Sequence, residues 1–173
     1  MVNTFGRNII PENEPLRIEA LYRYRLLEDL PERYFTNLAQ IIAKTFDTPI
    51  ALVSFVDKEE VLFPGNYGMR DTTQVSRGLS LCSLAILDED LTVFENALEE
   101  PCLIANPLVA GEFGLRFYAG APIITSDGFP IGTVCIVDKE PRKITKVEEN
   151  MLKEFASMVI SELDERLRIL EQT

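Results

Sequence analysis

Residues 117–137 constrain the fold more than any other stretch of this chain. They read as two apolar runs, 117–125 and 130–137, joined by the corner Ser126-Asp127-Gly128. An Asp-Gly step between apolar runs is a strong hairpin signal. Ile123, Ile124, Ile131, Val134, Ile136 and Val137 fall on both sides of the pleat, because successive strand residues point to opposite faces. Neither face can be left to water, so these are central strands that other layers must cover on both sides.

The flanks supply candidate covers. Thr145-Lys146-Val147-Glu148 is a Thr-x-x-Glu capping box and opens the longest predicted helix. Leu152, Ala156, Val159, Leu163, Leu167 and Leu170 follow at steps of three and four, widened by Met151, Phe155, Met158 and Ile160, a stripe broad enough for more than one neighbour. Up to Val159 the expected neighbour is the sheet; over 160–170 a second copy of the chain competes with it. At the other end, residues 1–12 show no periodicity and are expected as a loose tail ahead of a single domain over 13–173. Asn13 is a candidate cap for a first helix with Pro15 in its first turn and Leu16, Ala20, Leu21, Tyr24 and Leu27 on one side, ending near residue 27 or 28. Asp29-Leu30-Pro31-Glu32 has the form of a second capping box. It launches a helix through Phe35, Leu38, Ile41, Ile42 and Phe46 that Pro49 ends.

Between these helices and the hairpin lie shorter elements. Residues 49–56 read as an apolar strand, and 61–67 as a second one that Pro64 and Gly65 demote towards an edge or a bulge. Residues 71–77 are polar connection, 79–87 a short helix, 91–94 a short strand, and 101–115 turns with one short helical piece. This order predicts an α+β domain: a central antiparallel sheet of five to six strands with segregated helices.

Composition narrows the function. At 173 residues and 46% hydrophobic content the chain supports one domain with a substantial core. A formal net charge of −11 argues against nucleic acid and against anionic membrane surfaces. The opening residues lack the charged, apolar, small-residue order of a secretory signal and no run is long enough to span a bilayer, so the expected location is the cytoplasm. There are no histidines and three cysteines, which removes the usual general base and the commonest metal ligand. The spacing of Cys82, Cys102 and Cys135 matches no zinc pattern.

The run RFYAGAPI at 116–123, the Asp127-Gly128 corner, IGTVCIVD at 131–138 and Pro141-Arg142 together resemble the closing half of a GAF domain of the bacterial signalling type. PIALVSFVD at 49–57, SRGLSLC at 76–82 and NPLVAG at 106–111 fall in that family's order, so the resemblance covers roughly residues 13–170. It implies terminal helices on one face of the sheet, and loops and short helices over a ligand-sized cavity on the other.

Candidate ligand-binding residues gather where that cavity is expected: Arg77, Ser80, Cys82, Phe94, Asn106, Arg116 and Tyr118. Arg77 offers a planar fork for an anion; the preferred alternative pairs it with a carboxylate of the acidic 88–100 stretch. Arg116 beside the hairpin requires a carboxylate or carbonyl partner. Phe94 and Tyr118 either stack on a planar ligand or fill the core. Relatives that attach a bilin do so at a cysteine next to a histidine, and many signalling GAF sequences carry a histidine two places after the residue matching Cys82. Here that place is Leu84, so no covalently attached bilin is expected, and no haem or zinc either. Free cysteines are most often small buried hydrophobes, and Cys135 is expected in the core.

The expected function is a non-enzymatic, small-molecule-binding sensory or regulatory GAF domain in signal transduction, a homodimer through its terminal helices. No kinase, phosphodiesterase or cyclase segment is attached in this sequence: if the chain is complete, its output goes to a separate effector protein, and the other reading is an excised domain or a degenerate relative. The rivals are a dimerisation or scaffold module with no ligand, and a thiol-dependent free methionine-R-sulfoxide reductase.

Overall fold

The two apolar runs form the hairpin in a computed structural model that describes residues 1–26, 28 and 31–172. β5 (Phe117–Ile124) and β6 (Pro130–Asp138) pair antiparallel from Phe117↔Asp138 to Ile124↔Pro130. Gly128 sits in the corner at φ +92°, a region open mainly to glycine. β1 (Ile50–Val56) lies on the far side of β6 and is buried along its whole length. With β2 (Glu60–Tyr67), β3 (Gln74–Ser76) and β4 (Thr92–Phe94) the sheet has six antiparallel strands in the order β3-β2-β1-β6-β5-β4.

β2 reconciles its Pro and Gly with a place inside the sheet. β3 pairs only with residues 60–62, so Pro64 lies beyond that pairing and gives up no ladder bond to β3. A register shift between Val53 and Phe55 marks a bulge against β2. Residues 71–77, expected as connection, contain β3, whose short polar sequence becomes a strand by pairing.

Three long helices cover one face, which we call the back: α1 (Glu14–Arg23), α2 (Glu32–Phe46) and α5 (Lys146–Glu171). Their apolar sides meet Ala51, Val53 and Phe55 of β1, Phe117, Ala119, Ala121 and Ile123 of β5, and Val134 and Ile136 of β6 in one core. The capping box of α5 forms in both directions between Thr145 and Glu148. The one expected ahead of α2 involves Asp29 and Leu30, which lie outside the described residues, as does Leu27. α2 closes with Asp47 in the left-handed region. Arg142 then donates to the Phe46 and Asp47 carbonyls at 2.7 and 3.1 Å, a cation on the negative end of that helix.

Two expectations at the N-terminus change. Asn13 makes no side-chain cap bond, and Leu16 is 52% exposed while Arg17 is fully buried. Arg17 turns inward because its guanidinium finds Glu14 Oε1 at 2.7 Å and the Val56 carbonyl at 2.8 Å. Residues 1–12 have no helix or strand, but they are packed against the domain rather than loose. Phe5 and Ile9 are buried at 3% and 1% exposure, and Thr4 N donates to the Gly78 carbonyl at 3.0 Å.

Candidate functional site

The opposite face, the front, is where the family resemblance implies a cavity. Its cover is irregular chain: residues 1–12, α3 (Cys82–Ala85), 3-10 turns at Ala97–Glu99 and Pro101–Leu103, and α4 (Pro107–Ala110). Phe5, Ile9, Leu81, Leu84, Ile86 and Leu103 from this layer pack onto Leu52, Tyr118, Cys135 and Val137 of the sheet. The space left is a cavity of about 30 Å³, room for about one or two waters. Ligand pockets run from roughly 300 Å³ upward, so the ligand-sized cavity expected on this face is filled by side chains. Larger hollows, of about 400 and 530 Å³, lie elsewhere, beside Arg17 and Phe129 and along the outer side of β2 near Pro64.

The seven candidate residues separate into two groups. Ser80, Cys82 and Tyr118 line the small cavity, and Phe94 of β4 lies against the Tyr118 ring at 6.4 Å. Arg77, Asn106 and Arg116 hold the front layer together instead. Arg77 is 1% exposed; it reaches Glu14 Oε2 at 2.6 Å and the Asp57 and Lys58 carbonyls at 3.3 and 3.2 Å. Its carboxylate partner thus comes from α1 and not from the 88–100 stretch. Arg116 donates to the Val109 and Leu115 carbonyls at 2.8 and 2.9 Å. Asn106 caps α4 by accepting from Leu108 N at 3.0 Å, while its amide donates to Thr4 Oγ1 and the Leu79 carbonyl at 3.0 and 2.8 Å. The bonds among these that reach carbonyls and the Leu108 amide pair backbone groups that irregular chain cannot pair for itself.

Beneath the cavity is a polar cluster around one sulfur. Tyr118 Oη and Thr133 Oγ1 donate to Cys82 Sγ at 3.4 and 3.3 Å. Cys135 Sγ is 3.9 Å from it, and Ser54 Oγ lies 2.8 Å from Thr133 Oγ1. Donation from the Cys135 thiol, with the Ser54, Thr133 and Tyr118 hydroxyls adding to it, pulls Cys82 down to about 5 against the opposing effect of burial. Cys135 is pushed up by serving that bond and by its own burial. Burial, and then the nearby Cys82 charge, hold Tyr118 well above the ordinary phenol value. Gly120 makes room for this: a Cβ there would come within 2.4 Å of Tyr118 Oη.

Cys135 is in the core as expected, and it also belongs to this cluster. Ser54 and Thr133 were not candidates. Their signal was a hydroxyl in the middle of an otherwise apolar strand, IALVSFV and PIGTVCIVD. Cys102 is half-buried on the 3-10 turn and outside the cavity lining. Among the described residues no group of three or more His, Cys, Asp or Glu side chains is arranged to hold a metal ion. No helix among them is long and apolar enough to cross a membrane.

Over 154 residues the chain is 34% identical to a cyclic di-GMP phosphodiesterase of Pseudomonas aeruginosa, a match covering 88% of this chain and 26% of that protein. The chain therefore spans about a quarter of the length of that relative. Two solved structures share the fold. One is the GAF domain of an Acinetobacter phosphoenolpyruvate-protein phosphotransferase (TM-score 0.66, 12% identity, 90% of this chain and 95% of that one). The other is the free methionine-R-sulfoxide reductase of Neisseria meningitidis in complex with its substrate (TM-score 0.62, 18% identity, 99% and 98%). The GAF domain family model matches residues 30–163, and the chain belongs to that family.

Proposed function

We propose that this chain is a regulatory GAF module of a signalling protein, acting through the packing of its terminal helices and not through turnover of a substrate. The observation that carries this reading is the end of α5. At 26 residues the helix is about 39 Å long, and it is pinned to the back core by Leu152, Ala156, Val159 and Leu163. Beyond Leu163 it has no buried residue; Leu167 still packs against the edge of the back core, and Ile169 is 52% exposed. That end of the helix is the surface on which a second copy of the chain pairs, making the helix both dimer contact and output lever.

The front cavity fits a guest of very few atoms, so a nucleotide is not the ligand of this conformation. Identity with part of a cyclic di-GMP phosphodiesterase supports a setting in cyclic di-GMP signalling, where the module biases an enzymatic partner or segment. Sedimentation equilibrium tests the reading: the chain is expected to be a dimer and Ile169→Glu, at an exposed position of α5, a folded monomer. A chain monomeric at every concentration would end it. Thermal shift against purines and cyclic nucleotides is expected to show no selective ligand.

A further inference from the structure

The cluster beneath the front cavity joins two elements that have no other covalent tie. Cys82 opens α3 in the front layer and Cys135 sits mid-strand in β6, with their sulfurs 3.9 Å apart. A disulfide needs about 2.05 Å, so closure requires the sulfurs to approach by a further ~2 Å. α3, a helix of four residues in irregular chain, can supply that movement while central β6 stays fixed.

The two sulfurs are not equivalent. Two hydroxyls donate to Cys82 Sγ, an environment that stabilises a thiolate, while Cys135 keeps its proton and faces that sulfur. Both line the cavity, whose other wall is formed by Met69, Val75, Leu108 and Phe113. Those four side chains are half-buried, whereas Cys82 and Cys135 are 2% and 0% exposed, so this wall is the route by which a small oxidant would reach the thiols. Its volume of about 30 Å³ admits an oxidant little larger than water and excludes a peptide disulfide such as oxidised glutathione.

We propose that Cys82 and Cys135 form a peroxide-reactive pair, with Cys82 attacking hydrogen peroxide and Cys135 resolving the product into an intramolecular disulfide. In the first step the Cys82 thiolate donates an electron pair to one peroxide oxygen. The S–O bond forms, the O–O bond breaks, and the departing hydroxide takes a proton from solvent to become water, leaving Cys82 as sulfenic acid. In the second step Cys135 sulfur attacks Cys82 sulfur. The S–S bond forms, the S–O bond breaks, and the leaving hydroxide takes the Cys135 proton. The net change is two thiols and one peroxide to one disulfide and two waters, reversed by an external dithiol reductant. The bond would lock the front layer onto β6, whose opposite face carries Val134 and Ile136 into the core shared with α5. The pair needs nothing from helix pairing and goes beyond the regulatory reading.

The test uses the full chain with Cys102→Ser, leaving only the two thiols. Hydrogen peroxide under folding conditions is expected to remove two hydrogen masses, with peptide mapping joining Cys82 to Cys135. Oxidised glutathione at equal concentration is expected to react at least ~10-fold more slowly, because it cannot reach the cavity floor. Cys135→Ser in the same background is expected to stop at a Cys82 sulfenic acid captured by a cyclic dione. Both thiols intact after peroxide, a disulfide formed only in denaturant, or equal rates with the two oxidants would overturn the proposal. Should Cys135→Ser fail to fold by circular dichroism, the mass change and the oxidant comparison on Cys102→Ser alone decide it.

Discussion

The two faces of this sheet are covered by opposite means. The back cover is three regular helices held almost wholly by apolar contact, with Phe35 edge-on to Phe55 at 5.7 Å and α5 laid along β5 and β6. The front cover is irregular chain held by polar staples: Asn106, Arg77, Arg116 and Thr4 bind carbonyls and amides that have no ladder of their own. A helix satisfies its own backbone and needs only area to dock, whereas a loop over a core must find partners for each polar group it buries. The faces should therefore fail differently, the back through lost volume and the front through lost hydrogen bonds.

The largest effect is expected on the back. Phe35 is 0% exposed, and Phe35→Ala should cost about 3–5 kcal/mol in urea unfolding, the sum of lost transfer energy and an incompletely collapsed cavity. A loss below ~1 kcal/mol would mean that α2 is not the rigid cover its burial implies.

At the junction of the faces, the Glu14 carboxylate is bonded to two buried guanidiniums, Arg17 and Arg77. Burial already lowers the Arg17 pKa, against the opposing pull of Glu14. Glu14→Gln would leave both cations without that counter-charge, a loss of about 3 kcal/mol. Glu14→Gln retaining parental stability would show that water or Asp57 serves the pair instead.

The front itself is tested by Asn106→Ala, which strips partners from Leu108 N, the Leu79 carbonyl and Thr4 Oγ1. About 2 kcal/mol is expected, at the usual cost of buried polar groups left unmade. Amide exchange should quicken in residues 1–12 and around 79–82 while the amides of α5 keep their protection. Uniform loosening of both faces would erase the distinction.

The same contrast explains what was legible in the sequence. The hairpin and α5 announce themselves because an Asp-Gly corner, a Thr-x-x-Glu box and a period of three to four are local signals. Leu16 was expected inward because periodicity assigns the inward face of α1 to its apolar residues, while the partners that draw Arg17 inward instead are Glu14 and the carbonyl of Val56, 39 residues away. β3 has no pattern of its own and exists through residues 60–62. Residues 1–12 look like a tail because their apolar side chains make no period, yet Phe5 and Ile9 are buried in the front layer. The candidate site was half legible: Ser80, Cys82 and Tyr118 belong to the cavity, but Ser54 and Thr133 come from strands read only for their apolar content.

The smallest expected effect concerns a polar bond between the C-cap residue of α1 and α5. Tyr24 Oη donates to Asp164 Oδ1 at 2.7 Å. Burial first, and that bond second, push the Tyr24 pKa up to about 12 from an ordinary 10.0. The folded state thus holds the phenolic proton through a range in which the unfolded chain releases it. Its contribution to stability is complete below pH 10 and is lost as the pH rises towards 12. Tyr24→Phe should cost about 1 kcal/mol near neutrality, the net worth of the hydrogen bond. The parent then surrenders that advantage on the way to pH 12 and the variant does not, so the two stability curves converge. Tyr22, also raised to about 12 by its bond to Asp57, titrates in both proteins and cancels in the comparison. Curves that stay parallel across the window would mean that the phenol already reaches water, and that the back cover is less dry than the burial of Tyr24 implies.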